Sequence, residues 1–560
     1  MDPERSPTIT APAEMNHPQM SNVTRYLSAA AYLDAWFRDR VLGELLLDRY
    51  RAVAPSYGGC DLIPIAHHCR RARAMLVVRD ALITAVLVVG FLVSPTPVVA
   101  WLSFLIPFAL MTTEPVRRGS VLVRALLWIW IGSSLLLPLT ALSAITVSMA
   151  YAPVSTLSGA LTGALVEALM VPLATLAVAV AYRIGVYLTM AGQLGPGAPP
   201  PAPGPAPPRT GRRLDYVGRA QWGDITMYAN ENPFMGTGDV WRSWSIAVEL
   251  DRAGKGKGRR ERAVDIDPME LHAFVRARLL EMRDQVNRQN ESIHRLDIGD
   301  HVVTRGVYRV ADWKRGQPSH PMIDHAGLPR HRTRPEEIEA IARHPQGGVR
   351  HYQRVTIANA GQEIRDTASR LIAPAEDQEA LTSAFIHLAV EGRMLYTQFV
   401  VTVLPPVKAE YHVVDRLPAM AGSRIAWEAL RGTGLHLLRD VLAAPVRLVR
   451  AGVQTVRQQL SQPDPSGEAV YPYGAQLSVR ELGASDRLDT HIQRLDAAKY
   501  IKLIEQRLTE AVLDFLEERD VETRGYRMQA ANVVFGNQLN IDGDVNASVS
   551  VGDHSSATMG

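Results

Sequence analysis

The chain has 560 residues with 60 Lys and Arg against 57 Asp and Glu, a formal net charge of +3 at pH 7. This length is enough for two to four domains, and so small a charge excess makes no overall electrostatic case for nucleic-acid binding. Two cysteines exclude a disulfide framework, and the N-terminus lacks the short apolar core and cleavage site of a signal peptide.

The N-terminal segment, residues 1–73, is predicted to be cytoplasmic and to contain an amphipathic helix over residues 24–50. Apolar residues recur there at helical spacing, and charged residues occupy the opposite face. We expect this helix to pack on a cytoplasmic domain. Metal-ligand residue types follow it, but their spacing matches no tetrahedral zinc pattern: Cys60, His67, His68 and Cys69.

Residues 74–190 are predicted to form a multipass membrane block of about four transmembrane helices. Residues 81–111 carry no charge, yet 31 helical residues would span about 46 Å at 1.5 Å each, too long for a bilayer core near 30 Å. Pro95 and Pro97 therefore favour two helices, near 75–94 and 97–112. Two further apolar runs follow, Val121–Leu142 and one within Ser158–Met190.

Arginine placement orients this predicted block. The connections near 94–97 and 143–157 have no arginine, whereas the other flanks do, and positive loops stay in the cytoplasm. Four spans with both termini cytoplasmic, in the plasma (inner) membrane, satisfy every loop. The arginines that set this orientation are Arg70, Arg71, Arg73, Arg117, Arg118, Arg183, Arg209, Arg212 and Arg213.

Glu167 is the charged residue in the apolar runs whose position is least well explained by a side chain that reaches the nearby bilayer surface. An intramembrane carboxylate often marks an ion or proton path, which gives a small channel or transporter as an alternative function. If the fourth helix instead starts near Ala168, Glu167 lies at the outer interface.

A proline-rich linker, residues 191–212, is predicted to follow, with eight prolines in Gly195–Pro208 that favour a semi-rigid polyproline spacer. Residues 213–417 then alternate strand and helix signals and predict a cytoplasmic α+β domain. Its predicted elements are strands at Trp241–Leu250, Val302–Val310 and Val349–Ile357, a helix at Pro268–Gln289, and a hairpin of Ala384–Val390 with Met394–Leu404.

Four segments are predicted after this domain: a basic amphipathic helical segment at 418–461, a linker at 462–488, a helix at 489–530 and a β-prone tail at 531–560. The basic segment suits either an anionic membrane surface or packing on the α+β core. The apolar stripe of the 489–530 helix suits self-association, giving a homo-oligomer through this helix or the tail.

Four short segments of the α+β domain share one likeness: Asn232–Gly238, Arg242–Ser245, Arg350–Tyr352 and Leu404–Pro406. Together they resemble a recurring segment of uncharacterised actinobacterial multipass membrane proteins. The resemblance covers roughly residues 220–417 and implies a membrane-tethered cytoplasmic domain, without supplying catalytic residues.

Seven histidines fall within residues 294–354, and three residues there could in principle hold a divalent metal: His320, Asp324 and His325. This pattern gives a third function, a membrane-tethered metal-dependent hydrolase. The surrounding Pro and Gly residues favour a solvated loop, and the excess of basic residues favours an anion-attracting surface. No cofactor is predicted.

The last segment, residues 532–551, alternates apolar and amide or hydroxyl side chains in a pattern that suits stacked strands. Val549, Val551 and Gly552 resemble the core of amyloid-type homotypic signalling motifs, although Ser550 replaces the usual glutamine. A terminal hairpin is the alternative. The sequence thus predicts a multipass helical membrane block with a cytoplasmic α+β domain, acting as a non-enzymatic sensor, scaffold or interaction protein whose partner is the lipid bilayer.

Overall fold

The computed structural model describes residues 19–111, 123, 125–133, 154–202, 204, 206–253, 264–284, 293, 295–309, 320–433, 436–460, 465 and 470–538. The chain forms two compact units, each assembled from three stretches. Unit 1 comprises Met1–Arg49, Gly59–Gly218 and Lys408–Gly467, and unit 2 comprises Tyr50–Gly58, Arg219–Val407 and Glu468–Gly560.

The described helices are numbered here in chain order. They are α1 (Asn22–Leu33), α2 (Ala35–Leu42), α3 (Leu62–Val93), α4 (Pro95–Met111), α5 (Val154–Gln193), α6 (Pro208–Ala220), α7 (Pro268–Asp284), α8 (Pro335–Ala342), α9 (Val413–Arg416), α10 (Gly422–Thr433), α11 (His436–Leu460), α12 (Val479–Leu482), α13 (His491–Glu518) and α14 (Arg524–Gln538). A π-helical turn, Gly43–Leu47, follows α2, and residues 125–133 are also helical.

Unit 1 is helical in its described part. The single amphipathic helix predicted over residues 24–50 is divided, because Asp34 has an extended backbone and its side chain accepts a hydrogen bond from the Phe37 N–H to cap α2. The proline-rich segment lies against the same unit rather than standing away from it. Met20 donates its N–H to the Ala198 carbonyl oxygen at 2.9 Å, and Pro199–Pro201 line a cavity of about 370 Å³ with His67 and Arg71.

The prediction of a multipass block of four transmembrane helices is wrong. Among the described residues, two helices are long and apolar enough to cross a membrane, α3 and the Leu169–Gln193 part of α5. The predicted second span corresponds to α4, whose 17 described residues extend about 26 Å. Most of the predicted third run, Val121–Leu142, lies outside the described residues.

Unit 2 is built on a mixed six-stranded sheet in the order β1-β3-β5-β8-β9-β2. Only the β1–β3 pair is parallel among these strands, and the other neighbours are antiparallel. The strands are β1 (Ile225–Tyr228), β2 (Asp239–Glu249), β3 (Leu296–Arg305), β4 (Val307–Arg309), β5 (Val349–Gly361), β6 (Ile364–Arg365), β7 (Leu371–Ala373), β8 (Glu376–Glu391), β9 (Met394–Leu404) and β10 (Val470–Pro472).

The predicted β8–β9 hairpin is present, and its turn is sharp because Gly392 and Arg393 both adopt positive φ. Because successive side chains of a strand point to opposite sides, the two faces of the sheet carry different residues. One face is covered by α7, α13 and α14 through a large apolar core that includes Val355, Ala384 and Phe399. The opposite face carries a smaller aromatic cluster of Phe234, Tyr352 and Phe385.

The C-terminal segments differ from the sequence-based prediction in two ways. Much of the apolar stripe of α13 is occupied within the chain, because Ile501, Ile504, Leu508 and Phe515 are buried in the sheet core, whereas Ile492 and Leu495 at its start are exposed. Self-association through this helix stays a prediction. The beginning of the predicted β-prone tail, up to Gln538, is helical as the end of α14. Residues 539–560, including Val549, Val551 and Gly552, lie outside the described residues.

Candidate functional site

A network of four charged side chains joins α3 to α11 within unit 1. Asp80 is only 2% exposed and accepts hydrogen bonds from Arg79 Nη2 at 2.9 Å and from Arg447 Nε at 2.7 Å. Asp440 completes the network, with its carboxylate oxygens 3.3 Å from both Arg79 Nη1 and Arg447 Nη1. We call these four residues the charged junction.

Apolar packing beside the junction fixes α11 against the two longest helices of the unit. Ile83 of α3, Leu105 of α4, and Val441 and Ala444 of α11 form one buried cluster, with Val178 of α5 packed against it. The basic segment, for which packing on the α+β core was one prediction, therefore packs through α11 on the apolar helices. Its contact with a membrane surface stays a prediction. Its other apolar residues form an exposed stripe: Val446, Val449, Val453 and Val456.

A cavity of about 900 Å³ opens beside the charged junction, bounded by α2, α3, α5 and α11. We call it the arginine cavity. Seven arginines line it: Arg38, Arg73, Arg79, Arg183, Arg439, Arg447 and Arg450. Against them stand Asp39, Asp80 and Asp440, which leaves the wall with a formal charge of +4.

Apolar side chains cover much of the surface of α3 and α5. In each of the two helices that could cross a membrane, only 17% of the most apolar window is buried. The exposed residues include Val88, Val89 and Leu92 of α3 and Met170 and Leu173 of α5. An apolar surface of this extent is characteristic of a site that contacts lipid or another macromolecule.

Glu167, predicted as the membrane-embedded charge, is exposed on α5. Helix α5 begins at Val154, well before Ala168, the alternative start considered from the sequence, so Glu167 lies within the helix. Its role as a membrane-embedded charge stays a prediction.

The three candidate metal ligands shape a turn in unit 2. His320 accepts a hydrogen bond from the Met322 N–H at Nδ1 and stacks on Tyr308, while Asp324 Oδ1 accepts from the Ala326 and Leu328 N–H groups. His325 is exposed. Within the described ranges, no group of three or more His, Cys, Asp or Glu side chains is arranged to hold a metal ion.

The Asn232–Gly238 segment, which carried the resemblance, is a tight loop closed by a buried carboxylate. Glu481 Oε1 accepts hydrogen bonds from the N–H groups of Gly236 at 2.7 Å and Gly238 at 2.9 Å. Both glycines have positive φ, and a Cβ on Gly238 would lie 2.2 Å from the Val403 carbonyl oxygen. The loop also inserts Phe234 against Phe385, with ring centroids 4.5 Å apart.

A second polar cluster is buried under α7 on the helix-covered face of the sheet. Asp300 Oδ1 accepts hydrogen bonds from Arg276 Nη2 at 2.7 Å and His351 Nε2 at 2.9 Å. The ring of His272 meets that of His351 edge to face at 5.0 Å. Gln353, on the same face and paired with Asp300 across the strands, is 1% exposed, and its amide atoms have no hydrogen-bond partner among the described residues.

Burial and hydrogen bonding shift the pKa values of His272 and Asp300 in this cluster. Burial and the neighbouring His351 and His387 lower the pKa of His272 to about 3, so this ring is neutral near pH 7. Burial alone would raise the pKa of Asp300, but the hydrogen bonds from His351 and Arg276 and the charge of Arg276 outweigh it and lower the pKa to about 2. With His351 itself buried, this arrangement holds strands and α7 together and does not present a base to a substrate.

Sequence reasoning missed the charged junction and the arginine cavity. Arg79 and Asp80 look shallow and free to reach water when α3 is read alone, whereas the structure buries both and pairs them with residues more than 350 positions away. The only local signal is the acid–base pair itself at the start of an otherwise uncharged run.

The described structure is that of a mixed α/β protein with a helical unit whose apolar surface is largely uncovered. A family model described as an AbeC-like domain matches residues 243–549, more than half of the chain, and the protein belongs to this family. Comparison with curated proteins and with solved structures gives no match. The likeness to actinobacterial membrane proteins finds no support in these comparisons and stays a prediction.

Proposed function

We propose that this protein is a membrane-attached, non-enzymatic binding protein that acts as a sensor, scaffold or interaction module. In this proposal α3 and the Leu169–Gln193 part of α5 enter a bilayer, and the rest of the chain works at its cytoplasmic surface. The observation that supports it is the low burial of these two apolar helices, 17% in each window. The core helices of a soluble protein bury their apolar side chains instead.

The dimensions and flanks of the helices support lipid as the partner. The 32 residues of α3 extend about 48 Å and the 25 residues of Leu169–Gln193 about 37 Å, both longer than a bilayer core near 30 Å. Arg70, Arg71 and Arg73 lie toward the N-terminal end of α3, as the positive-inside rule favours for a cytoplasmic end.

The exposed face of α11 supports the same partner. Val446, Val449 and Val453 recur at helical spacing beside Arg447 and Arg450, which suits a helix lying at an anionic membrane surface. We also propose that the protein is related to the actinobacterial membrane proteins that the Asn232–Gly238 segment resembles.

Charged substitutions in the apolar helices should release the protein from membranes. The V89D/L173D variant places one carboxylate in each exposed apolar surface, and each charge near the centre of a membrane helix costs about 3 kcal/mol. We expect the wild-type chain to stay with membranes through an alkaline carbonate wash and to float with phosphatidylcholine vesicles, and the variant to stay in the soluble fraction.

The control for this experiment is I372D, since Ile372 is also an exposed apolar residue but lies in β7 of unit 2. It should float like the wild type. A wild-type chain that remains soluble without vesicles as a discrete cross-linkable oligomer would contradict lipid attachment, because a second copy would then cover the apolar surface.

A further inference from the structure

We propose that the arginine cavity binds a phosphorylated anion, supplied either by the headgroup of an anionic lipid or by a free phosphate-bearing compound. The cavity measures about 900 Å³, within the size range of small-molecule sites, and lies entirely within unit 1. Nothing in the charged junction or in the bilayer attachment proposed above requires such a ligand. The inference therefore stands or fails separately from the proposed function.

The charge of the wall selects an anion. Each of its three aspartates already accepts hydrogen bonds from an arginine of the same wall, Asp39 from Arg38, and Asp80 and Asp440 from Arg79 and Arg447. The acids are thus neutralised inside the cavity, and the wall keeps an excess of positive charge to which Arg73, Arg439 and Arg450 contribute. A cation would be repelled by this wall, and a neutral ligand would leave the excess charge uncompensated.

The residue type points to phosphate in particular. A guanidinium presents a planar fork of N–H donors that matches phosphate oxygens in pairs, and Arg439 and Arg450 present theirs from exposed positions on α11. The lining of α11 runs from Arg439 to Gln454, about 22 Å along the helix axis. A single inorganic phosphate would fill only part of this length.

The remaining wall is apolar and accommodates the rest of such a ligand. Five leucines are among its lining residues: Leu33, Leu42, Leu47, Leu76 and Leu448. Tyr182 also lines the cavity, and its ring lies 4.9 Å from the guanidinium carbon of Arg79, so it helps to hold that side chain in place. A phosphate joined to an apolar or sugar-like body matches this combination of walls.

The test measures binding of two probes to the full chain held in phosphatidylcholine nanodiscs: dioctanoyl phosphatidic acid and sodium pyrophosphate. We expect saturable binding of at least one probe to the wild type. The R439Q/R450Q variant should weaken it roughly 10- to 100-fold, since two charge-assisted contacts are lost. R439K/R450K, which keeps both charges but loses the planar fork of N–H donors, should bind with an affinity between those of R439Q/R450Q and the wild type.

The matched control is R424Q/R431Q, which removes two exposed arginines of α10 outside the cavity and should bind within about twofold of the wild type. Binding of both probes in competition supports a free phosphate compound as the source, and binding of the lipid alone supports a headgroup. Absence of saturable binding of either probe overturns the proposal, as does equal affinity of R439Q/R450Q and R424Q/R431Q. Either result leaves vesicle flotation, the measure of membrane attachment, unaffected.

Discussion

Replacing Asp80 by alanine should release α11 from α3 and lower the free energy of unfolding by about 3–5 kcal/mol, the cost of breaking a buried ion pair from one side. Asp80 is nearly inaccessible and receives hydrogen bonds from both Arg79 and Arg447. Without the carboxylate, the guanidinium groups of Arg79 and Arg447 would keep only their longer contacts to Asp440. That loss is a large fraction of the 5–15 kcal/mol that usually stabilises a folded domain.

Two measurements on the detergent-solubilised full chain check this result: the thermal unfolding midpoint and the rate at which a protease cleaves within residues 436–460. The second is local, so it reports detachment of α11 even if the units unfold separately. D440A is the control, because Asp440 is 34% exposed and its bonds to the two arginines are longer, so we expect a loss of at most about 1 kcal/mol.

Replacing the central charged residues by apolar ones distinguishes two causes of a loss of stability. One is an arginine left without its carboxylate partner, and the other is the absence of the charges themselves. The triple variant R79L/D80L/R447M removes all three central charges, and such replacements of buried ion pairs are often neutral or stabilising. It should recover most of the stability that D80A loses. Equal protease sensitivity of D80A and D440A would show that the apolar cluster around Ile83 and Val441, and not the charged junction, holds α11 in place.

The secondary structure of unit 2 could be predicted from sequence because its signals are local. The alternating β-branched and aromatic residues of Met394–Leu404 predict a strand whose bounds match β9, and the apolar spacing after Pro268 predicts a helix that begins where α7 begins. Strand order was not predictable, since β2 pairs with β9 about 150 residues later in the chain. No periodicity within either strand encodes that partner.

The membrane block could not be predicted correctly because hydropathy ignores helix continuity and packing. The arginines near Arg71 suggest a loop before a first span, yet α3 begins at Leu62 and runs through them without a break, since side chains such as His68 and Cys69 pack inside unit 1. The described part of the second run, α4, covers 17 residues and is not among the helices long and apolar enough to cross a membrane. Counting apolar runs therefore overstated the number of spanning helices.

The parts of the candidate sites that sequence reasoning missed depend on contacts between residues that are far apart in the sequence. Asp80 meets Arg447, and the Asn232–Gly238 loop meets Glu481, across separations of 367 and about 245 residues. Taken alone, Asp80, Arg447 and Glu481 each resemble an ordinary surface charge. Only the folded chain shows which groups they contact.

Substitution of Glu481 should have the second large effect on the free energy of unfolding, and this effect depends on pH. Removing the carboxylate in E481A should lower the free energy of unfolding by about 2–4 kcal/mol, because the buried N–H groups of Gly236 and Gly238 would lose their acceptor. E481Q keeps an acceptor oxygen in the same place and should lose less than about 1 kcal/mol near pH 7. Thermal unfolding of the full chain measures both differences.

Burial raises the pKa of Glu481 above its usual value, although the N–H groups of Gly236 and Gly238 oppose the shift. The folded chain therefore holds the Glu481 proton more tightly than the unfolded chain does. This contribution to stability is complete below the unfolded pKa, near 4.3, and is lost as pH rises through the raised folded pKa.

The wild type should therefore lose stability relative to E481Q as pH rises from the unfolded pKa of Glu481 to its raised folded pKa. Above the folded pKa, the difference in stability between the two chains should stay constant. E376Q serves as the control, because Glu376 is exposed at the start of β8. A wild-type chain that gains stability relative to E481Q over the same rise in pH would show that the two backbone hydrogen bonds dominate over burial, and that Glu481 closes the loop as a carboxylate throughout.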